Sequence, residues 1–102
     1  MQSIVAERHN ELSALCRRAG VRRLELFGSG ARDDFDPARS DLDFVVEFEP
    51  NAPGSALQSF FAFRASLEQL FDRPVDLVES GAVRNPYIRE TIERDKQLVY
   101  AA

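Results

Sequence analysis

The sequence predicts a small α+β domain, an α/β two-layer arrangement in which helices pack on a small mixed β-sheet. Three observations carry that prediction. Apolar residues alternate with a period of two over 22–27 and 41–49, as they do in half-buried strands, and 75–78 reads as a short third strand. Segments at 3–19, 57–71 and 85–95 instead read as helices, from apolar spacing or from terminal signals. The two kinds of segment interleave in the order α-β-(turn)-β-α-β-α, which sets helices against a sheet. A length of 102 residues is one domain's worth of chain, so a single domain over 1–102 is expected.

Each element has a local reason. In the first helix Ile4, Leu12 and Leu15 fall roughly on one face, among Glu7, Arg8, Glu11 and Arg17. Gly20 follows, where a helix C-terminus favours glycine. In the first strand Leu24 and Leu26 share one side, Arg23 and Glu25 the other, and Phe27 follows. Gly28-Ser29-Gly30 ends it with small residues that tolerate unusual backbone angles. Residues 31–40 read as a short helical turn and a loop. The second strand puts Leu42, Phe44, Val46 and Phe48 on one face. Asp41, Asp43, Val45, Glu47 and Glu49 take the other. A loop over 50–55 leads to the second helix, in which Phe60, Phe61, Phe63 and Phe71 serve as core or as a partner surface. Pro74 is expected to stop that helix ahead of the short third strand. Pro86 fits the first turn of a last helix, where a missing N–H costs nothing. Residues 97–100 are a final extended segment packing Leu98 and Val99.

Composition narrows the chemistry. Thirteen Lys and Arg against seventeen Asp and Glu give a net charge of −4, which argues against a basic nucleic-acid surface. One cysteine, Cys16, allows no intrachain disulfide, and one Cys with one His cannot build a tetrahedral zinc site. No apolar run approaches the roughly 20 residues of a membrane span, and no secretion signal is seen, so a cytoplasmic protein is expected. Carboxylates, hydroxyls, arginines and a hard metal ion remain as the available means.

Three features stand out: Gly28-Ser29 with Arg32 after a strand, Ser40-Asp41-Leu42-Asp43 entering the next, and Asp76 in the third. Asp41 and Asp43 are two apart in the expected strand and so project from one face. Two anions held roughly 6–7 Å apart repel, and a cation between them relieves this. Mg²⁺ takes oxygen ligands and combines one or two carboxylates with phosphates. Asp76 on a neighbouring strand supplies a third ligand. Two ions about 3.5–4 Å apart can act on both oxygens of a displacement at phosphorus. Gly28 lets the backbone approach a phosphate, Ser29 adds a hydroxyl and an N–H, and Arg32 adds a bidentate contact. The set describes nucleotidyl or phosphoryl transfer. Taken singly, each part also has a plain reading. Asp41 can cap a loop, Asp43 and Asp76 can be solvated strand residues, Gly28-Ser29 can be an ordinary turn, and Arg32 can be a surface arginine. Asp33, Asp34, Asp36, Glu47 and Glu49 read as solvated charges, and nothing suggests reactivity at His9 or Cys16.

The run Phe27-Gly28-Ser29-Gly30-Ala31-Arg32, followed by Ser40-Asp41-Leu42-Asp43-Phe44-Val45-Val46, resembles the signature of the DNA polymerase β-like nucleotidyltransferase superfamily. The short chain resembles its minimal branch, the MNT or MntA-like antitoxins that pair with HEPN-domain toxins. The resemblance covers 22–79 well and the flanking helices loosely. It implies a polymerase β-like fold and a reaction with two Mg²⁺ ions. Asp41 and Asp43 would bind both ions and the triphosphate of ATP, and Asp76 would bind the catalytic ion. Gly28 and Ser29 would hold the β and γ phosphates, with Arg32 and Ser40 supporting. AMP would pass to a tyrosine hydroxyl of a HEPN toxin, and pyrophosphate would leave, as in a type VII-like antitoxin. The sequence departs from the pattern at Asp33, where glycine is frequent, and in the eleven residues between Ser29 and Asp41, about one more than is common. Two other functions fit the same chain: an antitoxin that neutralises its partner by contact alone, and one subunit of a small-molecule nucleotidyltransferase. Oligomeric state, homo- or hetero-, stays open at this point.

Overall fold

The structure, a computed structural model, describes residues 3–28, 41–50, 55–82 and 85–102. Two helices open the chain, α1 (Ser3–Glu7) and α2 (His9–Ala19). The expected single helix over 3–19 is therefore broken at Arg8, whose backbone leaves the helical region at φ −102°, ψ 15°. Neither Gly nor Pro marks the break in the sequence. The buried face also differs from the expected one. Val5, Leu12 and Cys16 are fully buried, while Ile4 and Leu15 only flank the core. Gly20 ends α2 in the left-handed conformation at φ 72°, its N–H turned back to the carbonyls of Cys16 and Arg17.

Strands β1 (Val21–Phe27) and β2 (Leu42–Phe48) follow, then α3 (Ala56–Phe71) and β3 (Val75–Glu79). The Ser55 hydroxyl caps α3 by accepting from the Gln58 N–H. Asp72, at φ 52°, ends that helix two residues before Pro74, the expected stop. A 3-10 turn (Ser80–Ala82) precedes α4 (Pro86–Asp95), and β4 (Gln97–Ala101) closes the sheet. The Asn85 side chain caps α4 by accepting from the Tyr87 N–H at 2.9 Å, and Pro86 takes the first helical position. The expected helical turn at 31–40 and most of the loop over 50–55 lie outside the described residues.

The sheet order is β3-β2-β1-β4. β1 runs antiparallel to β2 and β4, and β2 runs parallel to β3, so the sheet is mixed, as expected. The final extended segment is the strand β4, paired with β1. Val99 is buried there, but Leu98 is 49% exposed and does not pack inward.

One face of the sheet forms the core. Leu24, Leu26, Leu42, Phe44, Val46, Val75 and Val99 meet Leu12 and Cys16 of α2 and Phe63, Leu67 and Phe71 of α3. Phe44 stacks on Phe71 at 6.1 Å, and Phe48 meets Phe63 edge-on at 6.0 Å. Phe61, by contrast, is 53% exposed. α4 covers part of the opposite face, where Val45 and Ile92 are buried together, apart from the main core. Among the described residues no helix is long and apolar enough to cross a membrane. Burial pushes the Cys16 thiol up to about 12, in keeping with its unreactive reading.

Two outcomes are expected. Phe44→Ala should cost about 3–5 kcal/mol in urea denaturation, whereas Phe61→Ala should stay within about 0.5 kcal/mol; equal effects would contradict this packing. Cys16 should resist alkylation at pH 8 until denaturant is added. Because its thiol is raised in the fold, it contributes no pH dependence below the unfolded value near 9, and stability falls as pH climbs from there toward about 12.

Candidate functional site

Three segments converge at one end of the sheet: the end of β1, the start of β2 and the start of β3. The antiparallel pairing sets Phe27 opposite Asp43, and the parallel pairing sets Asp43 opposite Asp76. Ladder partners share a face, so the Asp43 and Asp76 side chains project from the same side of two strands about 4.8 Å apart. That side is opposite the core, because Leu42, Phe44 and Val75 take the alternate positions. Asp43 is half-buried in a central strand, and Asp76 is exposed on an edge strand.

Two contacts fix this register. The Leu42 N–H donates to the Pro74 carbonyl at 3.3 Å. The Val75 N–H donates to the Glu68 carboxylate of α3 at 3.2 Å. Glu68 thus ties the helix to the first residue of β3, directly ahead of Asp76. Sequence reasoning missed this role, since a glutamate on a helix face carries no signal of the backbone amide it will meet.

Gly28 shapes the other flank. It sits at φ +66°, and a Cβ there would fall 2.5 Å from Oδ2 of Asp43. The bare α-carbon therefore makes room for the Asp43 carboxylate, a reason for glycine beyond the phosphate approach that the sequence suggested. The strand expected over 41–49 spans Leu42–Phe48, so Asp41 directly precedes β2, and it is exposed. Ser29, Arg32 and Ser40 lie outside the described residues, as do Asp33, Asp34 and Asp36. Glu47, read as a solvated charge, faces Arg22 at 3.4 Å on the surface.

Among the described residues, the donors that the fold brings together at these strand ends are carboxylate oxygens, the type that Mg²⁺ selects. Among the described residues no group of three or more His, Cys, Asp and Glu side chains is gathered for a metal ion. The paired set is therefore Asp43 with Asp76. One or two carboxylates are what Mg²⁺ commonly takes from protein when phosphates supply the rest. A recess of about 360 Å³ between α2 and α3 is lined by Leu15, Arg18, Ala19, Ser59, Ala62, Phe63 and Ser66, and it holds no carboxylate.

Residues 11–99 match the nucleotidyltransferase domain family. A Methanocaldococcus jannaschii protein assigned as a protein adenylyltransferase is 39% identical over 80 residues, 78% of this chain and 76% of the relative. A solved structure assigned as a minimal nucleotidyltransferase is 32% identical, covers 90% of this chain and 89% of its own, and gives a TM-score of 0.73. A chain in the structure of a tri-AMPylated Shewanella oneidensis HEPN toxin in complex with MNT antitoxin gives a TM-score of 0.66. It is 16% identical and covers 96% of this chain and 73% of its own, a likeness of fold.

Gly28→Ala tests the geometry. It must hold alanine in the left-handed region, at about 1–2 kcal/mol, and must displace the Asp43 carboxylate. The expected result is a loss of that size in urea denaturation, with shifted amide resonances at Asp43; wild-type stability and unshifted resonances would contradict the contact.

Proposed function

The chain belongs to the nucleotidyltransferase domain family, and we propose that it transfers AMP from ATP to a tyrosine hydroxyl of a HEPN-type toxin, silencing it. The observation that carries this reading is the pairing of Asp43 with Asp76 beside Gly28, at the meeting of three strand ends. The protein adenylyltransferase assigned to the M. jannaschii relative and the AMPylated HEPN toxin of the S. oneidensis complex support the choice of group and acceptor.

In this reading Asp41, Asp43 and Asp76 hold two Mg²⁺ ions. Bound magnesium would supply positive charge to the phosphates and lower the pKa of the acceptor hydroxyl. Asp43 and Asp76 present their oxygens from one face, so the α-phosphate and the acceptor meet on that side. Gly28 and Ser29 take the β and γ phosphates, with Arg32 and Ser40 in support. The acceptor hydroxyl, activated with the help of Asp76, gives up its proton to solvent as its oxygen bonds to the α-phosphorus, the bond to the bridging oxygen breaks, and pyrophosphate leaves.

An apolar surface favours a second reading, neutralisation by contact. Leu57 and Phe61, 66% and 53% exposed, line a recess of about 520 Å³ with Phe60, Leu77 and Val78. A partner seated there would be held without any transfer.

Incubation with α-labelled ATP, Mg²⁺ and the HEPN-type partner separates the two readings. Labelling of the partner is expected, lowered at least 100-fold by Asp43→Asn and abolished by chelation. Full neutralisation of the toxin by the Asp41→Asn, Asp43→Asn double variant would instead establish contact alone.

A further inference from the structure

The face that carries Asp43 and Asp76 continues beyond the carboxylates. One step along it lie Glu25 on β1, Val45 on β2 and Val78 on β3, set side by side by the register. Residues of α4 meet Glu25 and Val45 of this row. Glu25, Val45, Ser80, Arg89, Ile92 and Glu93 line a recess of about 110 Å³ there. Val45 and Ile92 form its apolar floor, each only 6% exposed.

Charge is unequally shared in this recess. Glu93 is engaged by Lys96 at 3.0 Å. Glu25 is engaged by Lys96 and by Arg23, each at 3.6 Å. Both lining carboxylates are thus already neutralised by cations other than Arg89. Among the described residues Arg89 has no ion-pair partner, although Glu93 stands one helical turn away. The two carboxylates therefore face three cations, Arg23, Lys96 and Arg89, and the surplus charge is the Arg89 guanidinium.

Its position gives that surplus a use. Residues two apart on a strand lie about 6.5–7 Å apart. Val45, on the recess floor, is two residues from Asp43. Arg89 thus brings positive charge over the row adjoining the paired carboxylates, on the flank away from Gly28. A planar guanidinium with no internal carboxylate is matched to phosphate oxygens, which it can bind in a bidentate manner. We propose that Arg89 is a nucleotide-binding residue that contacts a phosphate oxygen of the nucleoside triphosphate held at Asp43 and Asp76. This rests on the nucleotidyl-transfer reading. It gives α4 a part in substrate binding besides covering Val45.

The test uses the full chain with Mg²⁺ and a fluorescent N-methylanthraniloyl derivative of ATP, alongside ATP kinetics in the transfer assay. Arg89→Ala should raise the Kd of the fluorescent nucleotide about tenfold and the KM for ATP similarly, with kcat changed less. Arg89→Lys should recover part of the affinity, since it keeps the charge and loses the fork. Circular dichroism and the melting temperature should match wild type. Wild-type Kd and KM in a folded Arg89→Ala protein would overturn the assignment and leave the nucleotidyl-transfer reading standing. Absence of Mg²⁺-dependent nucleotide binding in the wild-type chain would overturn both. An Asp43→Asn control that binds as tightly as wild type would show that the nucleotide sits elsewhere, and would overturn both as well.

Discussion

Two carboxylates stand directly opposite each other across β2 and β3, and the architecture at this end of the molecule follows from that opposition. Like charges on facing ladder positions destabilise a sheet. Asp43 is the harder to accommodate, because β2 is a central strand and its side chain is half-buried. The neighbouring strand end answers with Gly28, whose missing side chain leaves space for the Asp43 carboxylate. The arrangement is costly for a sheet and suited to a cation that shares both anions and brings phosphates with it.

What holds the opposition in place lies on the other face. Leu42, Phe44 and Val46 alternate with Asp43, Val45 and Glu47, so each turn of the pleat that buries a core residue presents one of the others outward. The Phe44 ring stacks against Phe71 of α3, and Glu68 of the same helix receives the first amide of β3. α3 therefore anchors both strands of the parallel pair. A register slip would move Asp43 to the core face and Phe44 to the solvent face. The hydrophobic pattern that makes the core is in this way the same device that aims the carboxylates.

Much of this was legible in the sequence. Alternation located β1 and β2, and Gly20 and Pro86 marked helix ends through local backbone chemistry. The Gly28-Ser29 and Asp-x-Asp spacing pointed to the nucleotidyltransferase family, which residues 11–99 match. Other features depend on contacts distant in the chain. The break at Arg8 has no local marker. Residues 97–100 read as extended, but the pairing of β4 with β1 depends on the edge that β1 offers. The bounds of β2, one residue inside the expected 41–49 at each end, depend on its pairing. The ladder begins at Leu42, where the Pro74 carbonyl accepts its first amide. Neither the part of Glu68 nor the charge surplus at Arg89 follows from spacing, since both depend on which element packs against which face.

The central claim is that the opposed carboxylates form a hard-cation site at the three strand ends. Titration of the ¹⁵N-labelled chain with Mn²⁺ in the presence of a nonhydrolysable ATP analogue tests it most directly, because the paramagnetic ion broadens amides by proximity. Broadening centred on Gly28, Asp43 and Asp76 is expected, reversed by excess Mg²⁺ and lost in Asp43→Asn. Broadening centred elsewhere, as at Glu47 and Glu49 or at Glu68 and Asp72, would contradict it.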